Sequence, residues 1–268
     1  MRTVGHVAVN VFKESVRDKV LYNLVVFAVL LIGGSYLVGQ MTAGADMKII
    51  KDFGLAAIAT FGRLIAIFIG IGLVWKEVER RSIYALLAKP LRRADIVLGK
   101  YAGLVLTLLV NVAVMTAAFY LLLAFMNTTF SDLVRATWPA PALDPRLLEA
   151  VLLIFVELML LTAIALFFST FSSPVLSAML TLGIWVAGYF NADLRSFEAV
   201  TSSRAAIVLA RALYYVLPNF SALNISAQVV HGDHVGFAYA AWAIGYALVY
   251  VALLLTGAVA IFARRDFK

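Results

Sequence analysis

Long runs without a charged side chain organise this chain. Residues 20–45, 101–131, 158–192 and 235–263 contain no Asp, Glu, Lys or Arg. The stretch 54–75 is interrupted only by Arg63, and 150–168 only by Glu157. A helix needs roughly 20 apolar residues to cross a hydrocarbon core about 30 Å thick. The runs therefore predict six spans, near 21–41, 54–75, 101–126, 148–168, 175–191 and 239–263. Apolar residues are continuous within each run rather than alternating, which excludes membrane β-strands. The expected fold class is an all-α membrane protein, with one transmembrane domain over 1–268.

The segments between the runs carry their own patterns. In residues 4–20, Val4, Val7, Ala8, Val11, Phe12, Val16 and Val20 recur at helical spacing, with His6, Asn10, Lys13, Glu14, Arg17 and Asp18 opposite. This predicts an amphipathic helix suited to the headgroup plane, either a simple anchor or a lever that follows its neighbours. Residues 76–100 are the most charged part of the chain. Glu77 to Leu87 can extend the second span into water, with Ile83, Leu86 and Leu87 as a small apolar face. Pro90 stops that helix, and Asp95 favours the start of the next. Apolar residues amid charge suit a docking element; a plain solvated loop is the alternative. Ser169 to Pro174 is short and uncharged, so spans four and five form a tight hairpin. Residues 192–238 contain an uncharged run with Pro218-Asn219, Ser221, Asn224, Ser226 and Gln228. Bare lipid would penalise those polar groups, so a re-entrant or interfacial helix pair broken at Pro218 is expected there.

Composition changes this picture in one respect. Hydrophobic residues make up 63% and charged residues 14% of the chain, against about 45–50% and about 25% in soluble domains. One soluble core, a disordered chain and a disulfide scaffold are excluded, the last because cysteine is absent. That absence also removes thiolate metal sites and cysteine nucleophiles. The formal net charge is +7. With the N-terminus inside, fourteen Lys and Arg fall in the inner segments and seven in the outer ones. This bias places both termini in the cytoplasm and accounts for the charge without a nucleic-acid partner. Ala43-Gly44-Ala45 resembles a cleavage site, but the first apolar run is too long for a signal core, so it reads as an uncleaved helix.

Arg63 and Glu157 are the only charges deep inside the expected spans, Glu149 standing at the edge of the fourth. Each costs about 2.5–3.5 kcal/mol at mid-helix on the insertion scale. Both lie nine residues from the outer start of their spans, hence about 13–14 Å deep. Equal depth makes an ion pair possible, either structural or facing a polar cavity. His6, His231 and His234 all fall outside the spans, which excludes a haem held between transmembrane histidines. His231-Gly232-Asp233-His234 reads as a polar loop more readily than as a metal site. The spans offer no buried base beside a serine, so an intramembrane hydrolase does not fit. The pattern GxxxxGK[ST] is absent; if ATP drives this protein, another chain binds it.

The run Glu77-Val78-Glu79-Arg80-Arg81-Ser82-Ile83-Tyr84-Ala85-Leu86-Leu87-Ala88-Lys89-Pro90, continuing to Arg93, Asp95 and Leu98-Gly99-Lys100, resembles the ABC-2-type permease subunits of ATP-binding-cassette transporters. Phe168 to Pro174, Leu217-Pro218-Asn219-Phe220 and Arg264-Arg265-Asp266-Phe267 are similar to the same family. The nearest subgroup is the permeases associated with maturation of copper enzymes such as nitrous oxide reductase. The resemblance implies an exporter of the type V architecture in the inner membrane of a prokaryote, with no catalytic or metal site and no cofactor of its own. It implies a second permease copy in a homodimer, or a pair with a related permease, two ATPase subunits carrying ATP and Mg, and room for a periplasmic accessory protein. Residues 77–93 would be the coupling helix, with Glu79, Arg80, Ile83, Leu86, Leu87, Lys89 and Arg92 as its contacts. Helix 4–20 would be the connecting helix, and spans one, two and five would form the dimer interface. An ion-driven secondary transporter would need more intramembrane carboxylates and an internal repeat; a non-transporting scaffold would share the same pattern.

Overall fold

The structure is a computed structural model that describes residues 2–40, 46–79, 92–138, 140–197, 203–233 and 235–264, with only the backbone described for 2, 40, 46 and 72–79. Among these residues there are helices and no strands. They are α1 (Arg2–Val16), α2 (Lys19–Gln40), α3 (Asp46–Glu79), α4 (Arg93–Thr129), α5 (Asp132–Arg135), α6 (Arg146–Ser169), α7 (Pro174–Tyr189), α8 (Asn191–Arg195), α9 (Arg204–Val216), α10 (Ser226–His231) and α11 (Phe237–Arg264). A 3-10 turn covers Ser221–Leu223.

Among the described residues, six stretches are long and apolar enough to cross a membrane: Lys19–Gly39, Met47–Ile71, Arg93–Thr129, Arg146–Ser169, Arg204–His231 and Phe237–Arg264. Five of them overlap expected spans. The fifth expected span, 175–191, is instead α7, whose 16 residues rise only about 24 Å. Its place in the length count goes to Arg204–His231, which is not one helix but α9, a break at Leu217–Phe220, the 3-10 turn and α10. Helices α3 and α4 run well past their expected apolar limits, to 34 and 37 residues. Their charged ends let them continue beyond the lipid.

The bundle is built around α3 and α6. Their most apolar windows are 67% and 72% buried, against 22–28% for the other long helices. Small residues permit the close approach. A Cβ on Gly62 would fall 2.6 Å from Leu158 Cδ1, and one on Gly70 the same distance from Ala165 Cβ. Helix α2 packs on α3, while α11 lies across α6 and α4.

The expected amphipathic helix 4–20 is shorter here. α1 ends at Val16, and Asp18 opens α2 by accepting the Val20 amide at 3.0 Å. Val16 and Val20 are exposed, so they leave the apolar stripe. The remaining stripe does not simply lie in a headgroup plane. Val4, Val7, Ala8 and Val11 sit on α4 where Gly99 and Gly103 present no side chain; a Cβ there would be 2.6 Å from Val7 Cβ and from the Ala8 carbonyl oxygen, respectively.

The hairpin between α6 and α7 is closed by side chains. Ser173 caps α7 by accepting from the Leu176 amide, Pro174 fills the first helical position, and the hydroxyls of Ser172 and Ser177 are 2.7 Å apart. Proline suits that position because its missing N–H would have had no partner there. At the opposite face of the bundle, the break at 217–220 rests against the end of α7. The Phe220 amide donates to the Gly188 carbonyl at 3.1 Å, and a Cβ on residue 188 would lie 2.3 Å from the Pro218 carbonyl oxygen.

Candidate functional site

Arg63 on α3 and Glu157 on α6 meet between the two central helices. Arg63 Nε donates to Glu157 Oε1 at 2.8 Å, and Nη2 donates to Oε2 at 3.1 Å. Beside them, Gly62 leaves room for the Leu158 side chain, whose Cδ1 would be 2.6 Å from a Cβ at 62. The fork geometry matches both carboxylate oxygens, which makes it a strong form of ion pair. Glu157 is 1% exposed and Arg63 16%, so the pair sits away from water, where each charge alone would be costly.

A third residue completes the group. Trp185 on α7 donates its indole N–H to Glu157 Oε1 at 3.0 Å, and its ring lies 5.0 Å from the Arg63 guanidinium carbon. The sequence reading missed Trp185. A signal existed: an indole N–H inside a charge-free run needs an acceptor, and Glu157 is the one carboxylate deep within an expected span, Glu149 lying at the edge of the fourth. Few other groups hold α7. Only Ser177, Thr181 and Gly188 of this helix are buried, while Val175, Met179 and Val186 are exposed. The triad therefore joins the short helix to the rigid α3–α6 core.

At the face carrying the N-terminus, the described part of the charged connection begins at Arg92. Arg92 is exposed and precedes the first turn of α4. The Glu79 side chain, Arg80, Ile83, Leu86, Leu87 and Lys89 lie outside the described residues. Arg93 has a role that no sequence pattern indicated. Its Nη1 donates to the carbonyls of Phe262 (3.1 Å) and Ala263 (2.8 Å). These belong to the last turn of α11, where unpaired carbonyls and the helix dipole both favour a cation. Glycines 99 and 103 bind α1 to the same end of α4. The residues directly after the charged connection thus grip α1 on one side and α11 on the other.

The opposite face is tied by cations on backbone carbonyls. Lys51, 1% exposed, donates to the Pro141 carbonyl at 2.7 Å, and Arg146 donates to that of Gly232 at 2.9 Å. His231 lies 2.8 Å from Lys48 Nζ through Nε2 and 2.7 Å from the Ala227 carbonyl through Nδ1. Both ring nitrogens are thereby engaged with other partners. His234 lies outside the described residues. Among those described, no three His, Cys, Asp or Glu side chains are grouped to hold a metal ion.

Among the described residues the arrangement contains no nucleophile–base pair. What it supplies is mechanical: a neutralised intramembrane latch and a braced end on the face carrying the N-terminus. Comparison with family models matches residues 6–267 to the ABC-2 family transporter protein. No curated protein matches the sequence.

Proposed function

We propose that this chain, which belongs to the ABC-2 family of transporters, is a permease subunit that exports its cargo using ATP hydrolysed on a separate ATPase. Two features support the division of labour. The chain has no phosphate-cradling GxxxxGK[ST] loop, and its most charged connection leads directly into the turn where Arg93 holds α11 and Gly99 and Gly103 hold α1. That brace is the observation that carries the proposal. A push on residues 77–93 would move α4, α1 and α11 as one body instead of bending a loop. The docking contacts are Glu79, Arg80, Ile83, Leu86, Leu87, Lys89 and Arg92.

The two-to-one bias of Lys and Arg supports cytoplasmic termini and hence a cytoplasmic ATPase pair, in the inner membrane of a prokaryote. The exposed apolar faces of α2 and α7 support a second copy beside them, with Tyr22, Leu30 and Leu37 on one and Val175 and Met179 on the other. The likeness of 77–93 to permeases of copper-enzyme maturation supports that subgroup. ATP binding drives transport only if the docked ATPase interacts more favourably with one permease conformation than the other. An ion-coupled carrier fits less well, because the carboxylate within the spans is already bound by Arg63 and Trp185.

The test is reconstitution with an ABC ATPase that co-purifies. Wild-type chain should stimulate ATP turnover. Leu86→Asp with Leu87→Asp should abolish stimulation while leaving membrane insertion intact. Unchanged turnover in that variant overturns the docking assignment.

A further inference from the structure

An aromatic cleft of about 470 Å³ opens between α9, the break at 217–220 and the first half of α11. Its walls are Tyr214, Tyr215, Tyr239, Trp242, Tyr246 and Tyr250. A second cavity of about 250 Å³ shares Tyr214 and Tyr215 with it and carries Arg195 and Arg211. Among the described residues, neither lining includes a carboxylate.

Three observations narrow what would fill this space. First, several of the polar groups around the aromatic cleft are already spent on the protein. Tyr246 accepts the Asn219 amide at 2.9 Å, Tyr239 donates to the Ala222 carbonyl at 2.8 Å, and Asn191 donates to the carbonyls of Tyr214 and Leu217. The wall offers mainly ring faces, which suit a hydrocarbon chain better than a sugar or a polar solute. Second, the cleft has one leaflet's depth. Tyr239 to Tyr250 spans eleven residues of α11, about 16 Å of helix against a hydrocarbon core about 30 Å thick. Third, the rings lie open rather than packed against protein: Trp242 is 81% and Tyr215 73% exposed. Tyr and Trp favour the level where headgroups meet chains, and guanidinium groups match phosphate oxygens in pairs.

We propose that the joined cavities seat one anionic phospholipid from the leaflet opposite the N-terminal face. Its phosphate lies against Arg195 and Arg211, and one acyl chain runs down the aromatic trough toward Tyr250. In that position the chain covers the Asn219–Tyr246 bond and splints the break against α11. This site is separate from the ATPase-docking segment and does not depend on the nature of the cargo.

The test uses the full chain, purified in mild detergent and offered phosphatidylglycerol or phosphatidylcholine, with retained lipid read by native mass spectrometry. One phosphatidylglycerol per chain should be held, with a preference of about tenfold or more over phosphatidylcholine. Arg195→Gln with Arg211→Gln should remove that preference while helical content is kept. Brominated phosphatidylglycerol should quench the fluorescence of Trp242, read as the difference between wild type and Trp242→Phe, so the answer does not rest on the arginine variant folding. Equal retention by wild type and double variant, or a Trp242 signal indifferent to bromine, would overturn the proposal. So would displacement of the lipid by millimolar inorganic phosphate, which would mark a soluble-anion site. A Trp242→Cys disulfide between two chains would show that a second copy covers the cleft instead.

Discussion

Removing the Glu157 carboxylate should destabilise the bundle far more than removing the whole ion pair. Glu157 accepts three hydrogen bonds, two from Arg63 and one from Trp185, and is 1% exposed. Glu157→Ala leaves a guanidinium in the bundle without its counter-charge, a loss of about 3–5 kcal/mol. At about 2–4 °C per kcal/mol for a chain of this size, the thermal midpoint in detergent should fall by about 6–20 °C. Arg63→Leu combined with Glu157→Leu removes both charges and their desolvation cost. Such replacements are often neutral or stabilising by about 1–4 kcal/mol, so the double variant should recover most of the lost midpoint. Glu157→Gln should fall between, since an amide oxygen can still accept from Trp185 while its NH2 faces the guanidinium. The assay is a thermal midpoint for each corner of the double-mutant cycle, read by tryptophan fluorescence or by aggregation. If the Arg63 and Glu157 effects simply add, the two groups are not coupled and the latch does not exist.

Arg93→Ala should free the end of α11: amides near 258–264 should exchange hydrogen faster, while the outer half of that helix is unaffected, and Arg93→Lys should restore protection only in part, because an ammonium lacks the guanidinium's planar fork. Gly103→Leu should drive α1 off α4, since even a Cβ there meets the Ala8 carbonyl oxygen at 2.6 Å; protease access to residues 2–16 would report it, and unchanged resistance would refute the packing. Gly188→Val should disrupt the seat of the 217–220 break, where a Cβ lies 2.3 Å from the Pro218 oxygen, measured as a lowered yield of folded protein on size exclusion.

The sequence revealed most where a single physical constraint dominates. Burying backbone in lipid demands long apolar helices, so charge-free runs located five of the six long stretches. Depth counting brought Arg63 and Glu157 to the same level because α3 and α6 start from the same face. The run 158–192 carries no charge to divide it, yet Ser169 to Pro174 marks the turn, and the short expected span 175–191 lies close to the observed Pro174–Tyr189. Val16 and Val20 matched the amphipathic spacing of α1, yet Asp18 ended the pattern by capping α2. Arg93 could not be read at all: its partners are backbone carbonyls 169 and 170 residues away, and a carbonyl leaves no trace in a sequence. Gly99 and Gly103 stood in a span-like segment, where small residues acquire meaning only once the neighbouring helix is known.

In the proposed function, power enters from another chain through residues 77–93. Because the sequence contains no cysteine, Ile83→Cys can carry a photo-crosslinker as the sole label on the protein. In membranes containing the ATPase, light should join position 83 to a protein bearing GxxxxGK[ST], with a yield that changes between ATP-bound and nucleotide-free states. Transport by the purified chain alone, with no nucleotide present and no crosslink from position 83, would contradict it.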